Sequence, residues 1–485
     1  MGEPTTTLHL RSQTGDCPRI LISPSLFAPD AAQIRGNTHH LRQPKTRPAQ
    51  HLLERDLNVW NGAGLHTWEV LVMVPGIADI GAQEAVVWLP LGIAGLLSWS
   101  LWLYRRIIAH RLQPCTDEFS ASVSVVVPVF REDPEILDAC ISTWLAESVA
   151  EVILVVDTAD TDVIDMVRAR AADRRLQLIV FEHQGKRSAM AVGVKAATSE
   201  IVIFVDSDTA WTPGLVTEII RPFADPAVGG VGSRQLVAAA QSSLWRRVAS
   251  WLLDIRFLDY VPAMGARGSV ACLSGRTAAY RRAVIAPLMP HLEFEYFLGR
   301  LCIAGDDGRL TWLVLANGYR TVHQPTAIAY SMFPETLSAF VKQRVRWTRN
   351  SMRCYTTAAY NGWLWDQPFI TQVTVLQNIF TPCTMAISMA FLVFTVTHFA
   401  WWIGALYIAW VIVGRGLRGL SHLQLQPKEI VILPVIVVVT IAIALPIKLY
   451  AIFTMNKQGW LTRNVAQTGG EGQSHQTLAG SSVVS

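Results

Sequence analysis

The sequence is short of charge and contains no closely paired cysteines. Only 16% of its 485 residues are Asp, Glu, Lys or Arg, against 51% hydrophobic residues and a mean hydropathy of +0.30. Soluble domains usually carry about 25% charged residues, so this composition indicates membrane segments. The seven cysteines are scattered and lack a Cys-x-x-Cys pair, which argues against a zinc site. A net charge of +4 is too small for this length to indicate a nucleic-acid partner.

Long apolar runs flank a more polar middle. Residues 85–104 are uncharged, about one bilayer thickness long, and followed by Arg105 and Arg106, which predicts a spanning helix with a cytosolic basic end. An earlier run, 67–80, contains two acidic residues and leaves a second N-terminal helix open. Further spans are predicted at 369–394, 398–413 and 430–453. Pro434 and Pro446 interrupt the last one, so it either crosses the bilayer or bends back as two half-helices.

The middle of the chain alternates strand-like and helix-like segments, which predicts an α/β sheet. Polar residues follow successive apolar runs, and they meet at one edge of the sheet only if those strands are parallel. One such run, 201–205, ends in Asp206-Ser207-Asp208. Carboxylates at that edge lie where open α/β sheets bind ligands, and they suit Mg²⁺ or Mn²⁺. The alternative is a helix cap, because Asp and Ser favour N-caps.

A set of short motifs occurs in a fixed order: Pro128-Val129-Phe130-Arg131-Glu132, Asp157, Gly185-Lys186-Arg187, Asp206-Ser207-Asp208, Ser274-Gly275, Gly305-Asp306-Asp307 and Gln343-Arg344-Val345-Arg346-Trp347. Together these motifs resemble the processive family-2 glycosyltransferases, which are the hyaluronan, chitin and cellulose synthases. The resemblance extends from about Ser122 to Arg463. It implies a GT-A-like nucleotide-sugar domain with a mixed, mostly parallel sheet, fused to an α-helical transmembrane region with amphipathic interface helices.

The predicted organisation has six parts. They are a disordered tail (1–60), an N-terminal transmembrane region of one or two helices (61–110), a cytosolic GT-A domain (115–330), amphipathic interface helices with the Gln-x-x-Arg-Trp motif (331–366), a C-terminal transmembrane region (367–455), and a cytosolic gating-type segment with a loose tail (456–485). One further helix, predicted over 244–261, has no expected chemistry.

By resemblance, the nucleotide-sugar donor is bound by Pro128, Glu132, Asp157, Lys186, Asp206, Asp208 and Arg346. Asp208 is the preferred direct ligand of Mg²⁺ or Mn²⁺, and Asp206 binds metal or ribose. The metal would neutralise charge on the departing UDP. Lys186 would add a positive charge beside the diphosphate, and the planar fork of Arg346 suits the same group. The alternatives are solvated loop carboxylates and a surface lysine.

Transfer with inversion needs a base that takes the proton from the attacking acceptor hydroxyl. The resemblance favours Asp307 for this role over Asp306, and like-charge repulsion from Asp306 would raise the pKa of Asp307. The chain has Gly308-Arg309 where hyaluronan synthases typically have Arg-His. The identity of the donor sugar is therefore open.

The acceptor is assigned, by resemblance, to Ser274, Gly275, Gln343 and Trp347, with Trp347 as a flat platform for a sugar ring. Residues 334–352 are predicted to form an amphipathic helix, whose basic face could equally meet lipid phosphates. The family usually has proline or a similar residue after the Ser-Gly pair, whereas this chain has Arg276.

Trp460, Thr462 and Arg463 resemble a segment that lies at the active-site mouth and contacts UDP or gates the site. The alternative for Trp460 is an anchor at the bilayer interface.

The leading hypothesis is a membrane-embedded inverting glycosyltransferase in the plasma membrane, with its catalytic domain in the cytosol. It would polymerise sugar from a UDP-sugar donor into a β-linked polysaccharide and extrude the growing chain through its own helices in the lipid bilayer. The first alternative is a non-processive enzyme that adds one sugar to a lipid or oligosaccharide. The second is a transporter or receptor that only binds nucleotide-sugar. No nucleic acid is expected, and the oligomeric state is open.

Overall fold

The computed structural model describes residues 93–170, 172–182, 184–398 and 401–457. The predicted tail over 1–60 and the candidate helix at 67–80 lie outside these residues, as do 458–485. The described strands are β1 Val123–Val129, β2 Glu151–Asp157, β3 Leu176–Phe181, β4 Ile201–Val205, β5 Thr209–Trp211, β6 Val228–Val237, β7 Thr277–Arg281, β8 Tyr296–Phe297, β9 Arg300–Leu301 and β10 Arg320–Ser331.

The main sheet has eight strands in the order β3-β2-β1-β4-β7-β6-β10-β5, and β8 pairs with β9 in a separate hairpin. β1 to β4 are parallel to one another. β1, β2 and β4 are rich in Val and Ile and almost wholly buried, as is usual for parallel strands covered on both faces. The predicted parallel arrangement of the polar strand ends is therefore confirmed.

β7 is the strand that makes the sheet mixed, since it runs antiparallel between β4 and β6. Its first residue, Thr277, pairs with Val205 at the carboxyl end of β4. The residues that precede β7 are consequently placed beside Asp206.

Helix α1 Ile93–Ala109 precedes the sheet, and the helices of the α/β part are α2 Pro134–Leu145, α3 Thr161–Ala169, α4 Lys186–Ala196, α5 Leu215–Ile220, α6 Leu244–Ile255, α7 Val261–Gly265, α8 Arg282–Ile285, α9 Met289–Glu293 and α10 Asp306–Ala316. A π-helical turn, Arg256–Tyr260, joins α6 to α7 in the region predicted as one helix. Alternate residues of β1 enter two cores on opposite faces: Val125 and Val127 one, Val126 the other. On the face of Val126, α4 packs so closely that a Cβ at Gly193 would lie 2.2 Å from its Cγ1.

The C-terminal helices are α11 Leu337–Tyr360, α12 Phe369–His398, α13 Trp401–Arg418, α14 Leu420–Leu425, α15 Leu433–Val438 and α16 Leu445–Phe453. The interface helix α11 ends at Tyr360, beyond the predicted limit of Met352. Among the described residues, two helical segments, Phe369–Phe394 and Pro427–Phe453, are long and apolar enough to cross a membrane.

The last segment is one helical run and does not bend back on itself. A π-helical turn, Val439–Ala444, joins α15 to α16. Pro434 follows a 3-10 segment and Pro446 follows the π-helical turn, and such irregular turns are where a helical run tolerates a missing N–H. The prolines are thereby accommodated within the run.

The basic end of α1 binds protein groups. Arg105 lies 4.0 Å above the Tyr260 ring and donates to Gln377 at 2.6 Å. Arg106 pairs with Asp259 on the π-helical turn at 3.3 Å. Both arginines are buried, and Asp259 compensates the charge of Arg106 inside the fold.

Candidate active site

Lys186 joins two acidic motifs at the carboxyl edge of the sheet. Its Nζ lies 2.7 Å from Oδ1 of Asp206 and 3.0 Å from Oδ2 of Asp306. Burial alone would lower the pKa of this ammonium, but Asp206 and Asp306 outweigh it and raise the pKa above its usual value. Lys186 is therefore a fixed cation between the two motifs.

Two glycines place these charged residues. Gly185 and Gly305 have φ of 102° and 83°, a conformation that side chains with a Cβ rarely adopt. Each glycine directly precedes a helix, so that Lys186 begins α4 and Asp306 begins α10. At Gly305 a Cβ would lie 3.2 Å from Cβ of Asn350 on α11, and the absent side chain allows this close approach.

Asp306 and Asp307 have pKa values shifted in opposite directions. Burial opposes ionisation of Asp306, but the Lys186 ammonium outweighs it and lowers that pKa. Burial, and then the charge of Asp306, raises the pKa of Asp307. Asp307 accepts hydrogen bonds from the Gly308 N–H at 2.8 Å and the Cys272 thiol at 3.6 Å. A raised pKa suits a group that must take up a proton near neutral pH.

The Ser-Gly pair lies against this acidic pair. A Cβ built on Gly275 would be 3.3 Å from Lys186 Nζ, 3.4 Å from Asp306 Oδ2 and 3.6 Å from Asp307 Cβ. Any side chain at Gly275 would crowd these groups. Donor and acceptor residues predicted from separate motifs are thus brought together.

A cavity at the ends of β1 to β3 is lined by Pro128, Val129, Phe130, Val155, Asp157, Phe181, Gly185, Lys186 and Ala189. Asp157 is buried there, and its Oδ1 accepts a hydrogen bond from Ala159 N–H at 2.8 Å. Glu132 instead accepts a hydrogen bond from the hydroxyl of Ser207, between the two aspartates. Of the predicted nucleotide ligands, Pro128, Asp157 and Lys186 line this cavity, and Glu132 is bound to the Asp206-Ser207-Asp208 turn.

Helix α11 packs against the loop before the acidic pair, where Asn350 lies beside Gly305, and it carries the Gln-x-x-Arg-Trp motif. Trp347 is half-buried, and its ring lies 6.1 Å from that of Phe333 in an edge-to-face contact. Arg276 and Arg344 each lie 5.1 Å above the Trp347 ring. Gln343 is buried, and its Oε1 has no hydrogen-bond partner within the described ranges. The positive charge of Arg346 acts on Arg276, which places it near the same site.

Two arginines to which the sequence analysis assigned no role, Arg276 and Arg187, also shape the site. Arg276 stacks on Phe333 at 3.9 Å. Arg187 donates to the carbonyl of Ala304 at 2.9 Å and to Glu295 at 2.7 Å, which holds the loop before the acidic pair. The departure from the family pattern at position 276 was the sequence signal for a role of Arg276. Trp460, Thr462 and Arg463 lie outside the described residues.

Asp206 and Asp208 are the residues predicted to bind Mg²⁺ or Mn²⁺. The described residues include no cluster of three His, Cys, Asp or Glu side chains able to hold a metal. Mg²⁺ in nucleotide sites usually takes one or two carboxylates and completes its shell with phosphates and water. Asp206 and Asp208, both half-buried at the end of β4, fit that pattern.

This mixed sheet, with acidic residues following β4 and a second acidic pair opening α10, defines a glycosyltransferase of the GT-A type. A solved mannosyltransferase from Pyrobaculum calidifontis, in complex with GDP-Man and Mn²⁺, matches the fold with a TM-score of 0.52. The match covers 74% of this chain and 96% of that one, at 17% identity, and so bears on the fold alone.

The family is shown by sequence. Residues 121–350 match the family model described as glycosyltransferase like family 2. An N-acetylglucosaminyltransferase of Bradyrhizobium diazoefficiens is 30% identical over 357 residues, which cover 71% of this chain and 72% of the relative. An N-acetylglucosaminyltransferase of Rhizobium meliloti is 30% identical over 377 residues, covering 74% and 86%. The chain belongs to glycosyltransferase family 2 and is a glycosyltransferase, which excludes the binding-only alternative.

Proposed function

We propose that the protein is a membrane-embedded inverting N-acetylglucosaminyltransferase that uses UDP-GlcNAc and builds a β-linked chain. The observation that carries this proposal is the contact of Lys186 with both Asp206 and Asp306, at 2.7 and 3.0 Å. This contact brings Asp206, from the predicted donor motif, and Asp306, from the predicted base motif, to the same lysine. The names of the relatives support GlcNAc as the transferred sugar.

In the proposed reaction, Asp307 takes the proton of the acceptor hydroxyl as its oxygen attacks the anomeric carbon. The bond between that carbon and the diphosphate breaks, and the electron pair leaves with UDP. Attack from the opposite face inverts the configuration. The raised pKa of Asp307 suits the base, while Lys186 keeps Asp306 ionised. Mg²⁺ or Mn²⁺, held by Asp208 and Asp206, would neutralise charge on the diphosphate.

We further propose that the acceptor is a growing polysaccharide, placed by Ser274, Gly275, Gln343 and Trp347, and that it leaves through the C-terminal helices. The two candidate spans and the position of α11 between them and the acidic pair support this proposal. The predicted plasma-membrane location with a cytosolic catalytic domain and the gating role of 456–485 belong to the same proposal. Transfer of one sugar to a lipid or oligosaccharide is the alternative.

Product length separates the two functions. Purified full-length protein would receive radiolabelled UDP-GlcNAc, UDP-glucose or UDP-GlcA, singly and in pairs, with Mg²⁺ or Mn²⁺. The proposal predicts a ladder of products from UDP-GlcNAc alone that a hydrolase specific for β-linked GlcNAc degrades. A single added sugar would establish the alternative, and incorporation only from another donor would overturn the assignment of GlcNAc. Asp307→Asn provides the inactive control.

A further inference from the structure

Arg276 is fixed beside the predicted donor site by the pairing of strands. Thr277 lies opposite Val205, and the N–H of Asp206 donates to the carbonyl of Arg276 at 3.4 Å. Arg276 therefore stands next to the first aspartate of the acidic turn because β7 runs antiparallel to β4. A shift of this pairing by one residue would move every side chain of β7 to the opposite face of the sheet, and a shift by two would move it along the strand.

The guanidinium of Arg276 is held by stacking and has unused donors. Arg276 is 7% exposed, and its Cζ lies 3.9 Å from the centre of the Phe333 ring. It donates no hydrogen bond to any residue in the described part of the chain. A guanidinium has five N–H donors, and those of Arg276 are not enclosed within the protein. An arginine can stack on an aromatic ring and still present its N–H donors to a carboxylate or a phosphate.

The surrounding charges match a polyanion that bridges this region. Burial lowers the pKa of the Arg276 guanidinium, and the charges of Asp208 and Asp206 oppose that effect. Arg346 acts on it as a neighbouring positive charge. Lys186 lies next to Gly275, with its Nζ 3.3 Å from where a Cβ of that glycine would be. Three cations thus surround the end of β4, where Asp206 and Asp208 alone would repel a diphosphate.

We infer that Arg276 binds the diphosphate of the nucleotide, both in the sugar donor and in the product that leaves. The inference rests on the proposed nucleotide-sugar site and adds a ligand to it. When the bond between the anomeric carbon and the diphosphate oxygen breaks, the electron pair stays on that oxygen. A guanidinium in contact with it stabilises the added negative charge.

The test compares binding of UDP and UMP to the full-length protein and to the variants Arg276→Met and Arg276→Lys. The Met variant keeps an apolar chain against Phe333 and loses the charge. We expect it to weaken UDP binding about tenfold to a hundredfold while changing UMP binding less than about threefold. The Lys variant keeps a charge without the planar fork and should fall between the two.

Arg281→Lys is the matched control, because Arg281 lies at the far end of β7, the strand that Arg276 precedes, and donates to the carbonyl of Val228 at 3.0 Å, away from the acidic turn. It should leave the preference for UDP over UMP unchanged, and thermal unfolding of each variant verifies folding.

Four outcomes would overturn the inference. Equal weakening of UDP and UMP would show that Arg276 only shapes the nucleotide pocket. Unchanged UDP binding with a raised KM for the acceptor would assign Arg276 to the acceptor. A wild-type protein that binds neither nucleotide would refute the proposed donor, and the inference with it. Unchanged UDP binding in Arg276→Met, with normal binding in the wild type, would refute the inference alone.

Discussion

Replacing Lys186 by methionine tests the central ion cluster without relying on any assumed reaction. The side chains of Lys186, Asp206 and Asp306 are 16%, 33% and 11% exposed. Removing one partner of a buried ion pair typically costs about 3–5 kcal/mol, because the other charge is left uncompensated. Water reaches Asp206, so we expect the low end, about 3 kcal/mol. For a unit of about 150–250 residues, that corresponds to a fall of roughly 6–12 °C in Tm.

The assay is thermal unfolding of purified protein at several pH values. In the wild type, Lys186 outweighs burial and lowers the pKa of Asp306; without it, burial raises that pKa. An acid whose folded-state pKa is raised destabilises the fold above that pKa and ceases to do so once protonated. The Tm difference between Lys186→Met and the wild type should therefore shrink as the pH falls.

The double variant Lys186→Met/Asp306→Asn and the variant Lys195→Met are the controls. The double variant removes both charges and should recover part of the lost stability, whereas Lys195 is exposed on the same helix and should have little effect. A Tm for Lys186→Met within about 1 °C of the wild type at pH 7 would refute the ion cluster.

Four further outcomes are expected. Asp307→Asn should abolish transfer in a radiolabel assay and leave UDP binding nearly intact; unaltered turnover would place the base elsewhere. Asp306→Asn should move the acid limb of any remaining activity to lower pH, because its charge raises the pKa of Asp307. Trp347→Ala should shorten or eliminate the polymer on a sizing gel, and normal length would contradict the platform role. Gly193→Ala should lower the Tm through overpacking of about 1–3 kcal/mol, since its Cβ would meet Val126 at 2.2 Å.

The parallel half of the sheet could be predicted because its strands are short apolar runs, and burial on both faces requires such runs. The apolar runs 123–127, 151–156 and 201–205 predict the starts of β1, β2 and β4 correctly. The run 178–181 predicts β3, which begins two residues earlier, at Leu176. The ends of these strands follow from the same pattern, so the meeting of Asp157 with Lys186 around one cavity could also be anticipated.

The antiparallel insertion of β7 could not be predicted, because pairing between strands distant in sequence leaves no local signal. The position of Arg276 depends entirely on that pairing. The burial of Arg106 has the same kind of cause, since its partner Asp259 is far along the chain on a π-helical turn. From the sequence alone, Arg106 was indistinguishable from a basic residue at a membrane surface.

The acidic pair is held from two sides. Arg187, at the start of α4, donates to the carbonyl of Ala304 at 2.9 Å, and Arg353 on α11 donates to the same oxygen at 3.2 Å. Arg353 also donates to the carbonyl of Met455, just after the last helical run, at 3.1 Å. A fragment ending before that helix would lose the Met455 contact of Arg353, which is one of two arginines that donate to the loop before Asp306. The C-terminal helices therefore contribute, through Arg353, to holding the loop before the acidic pair.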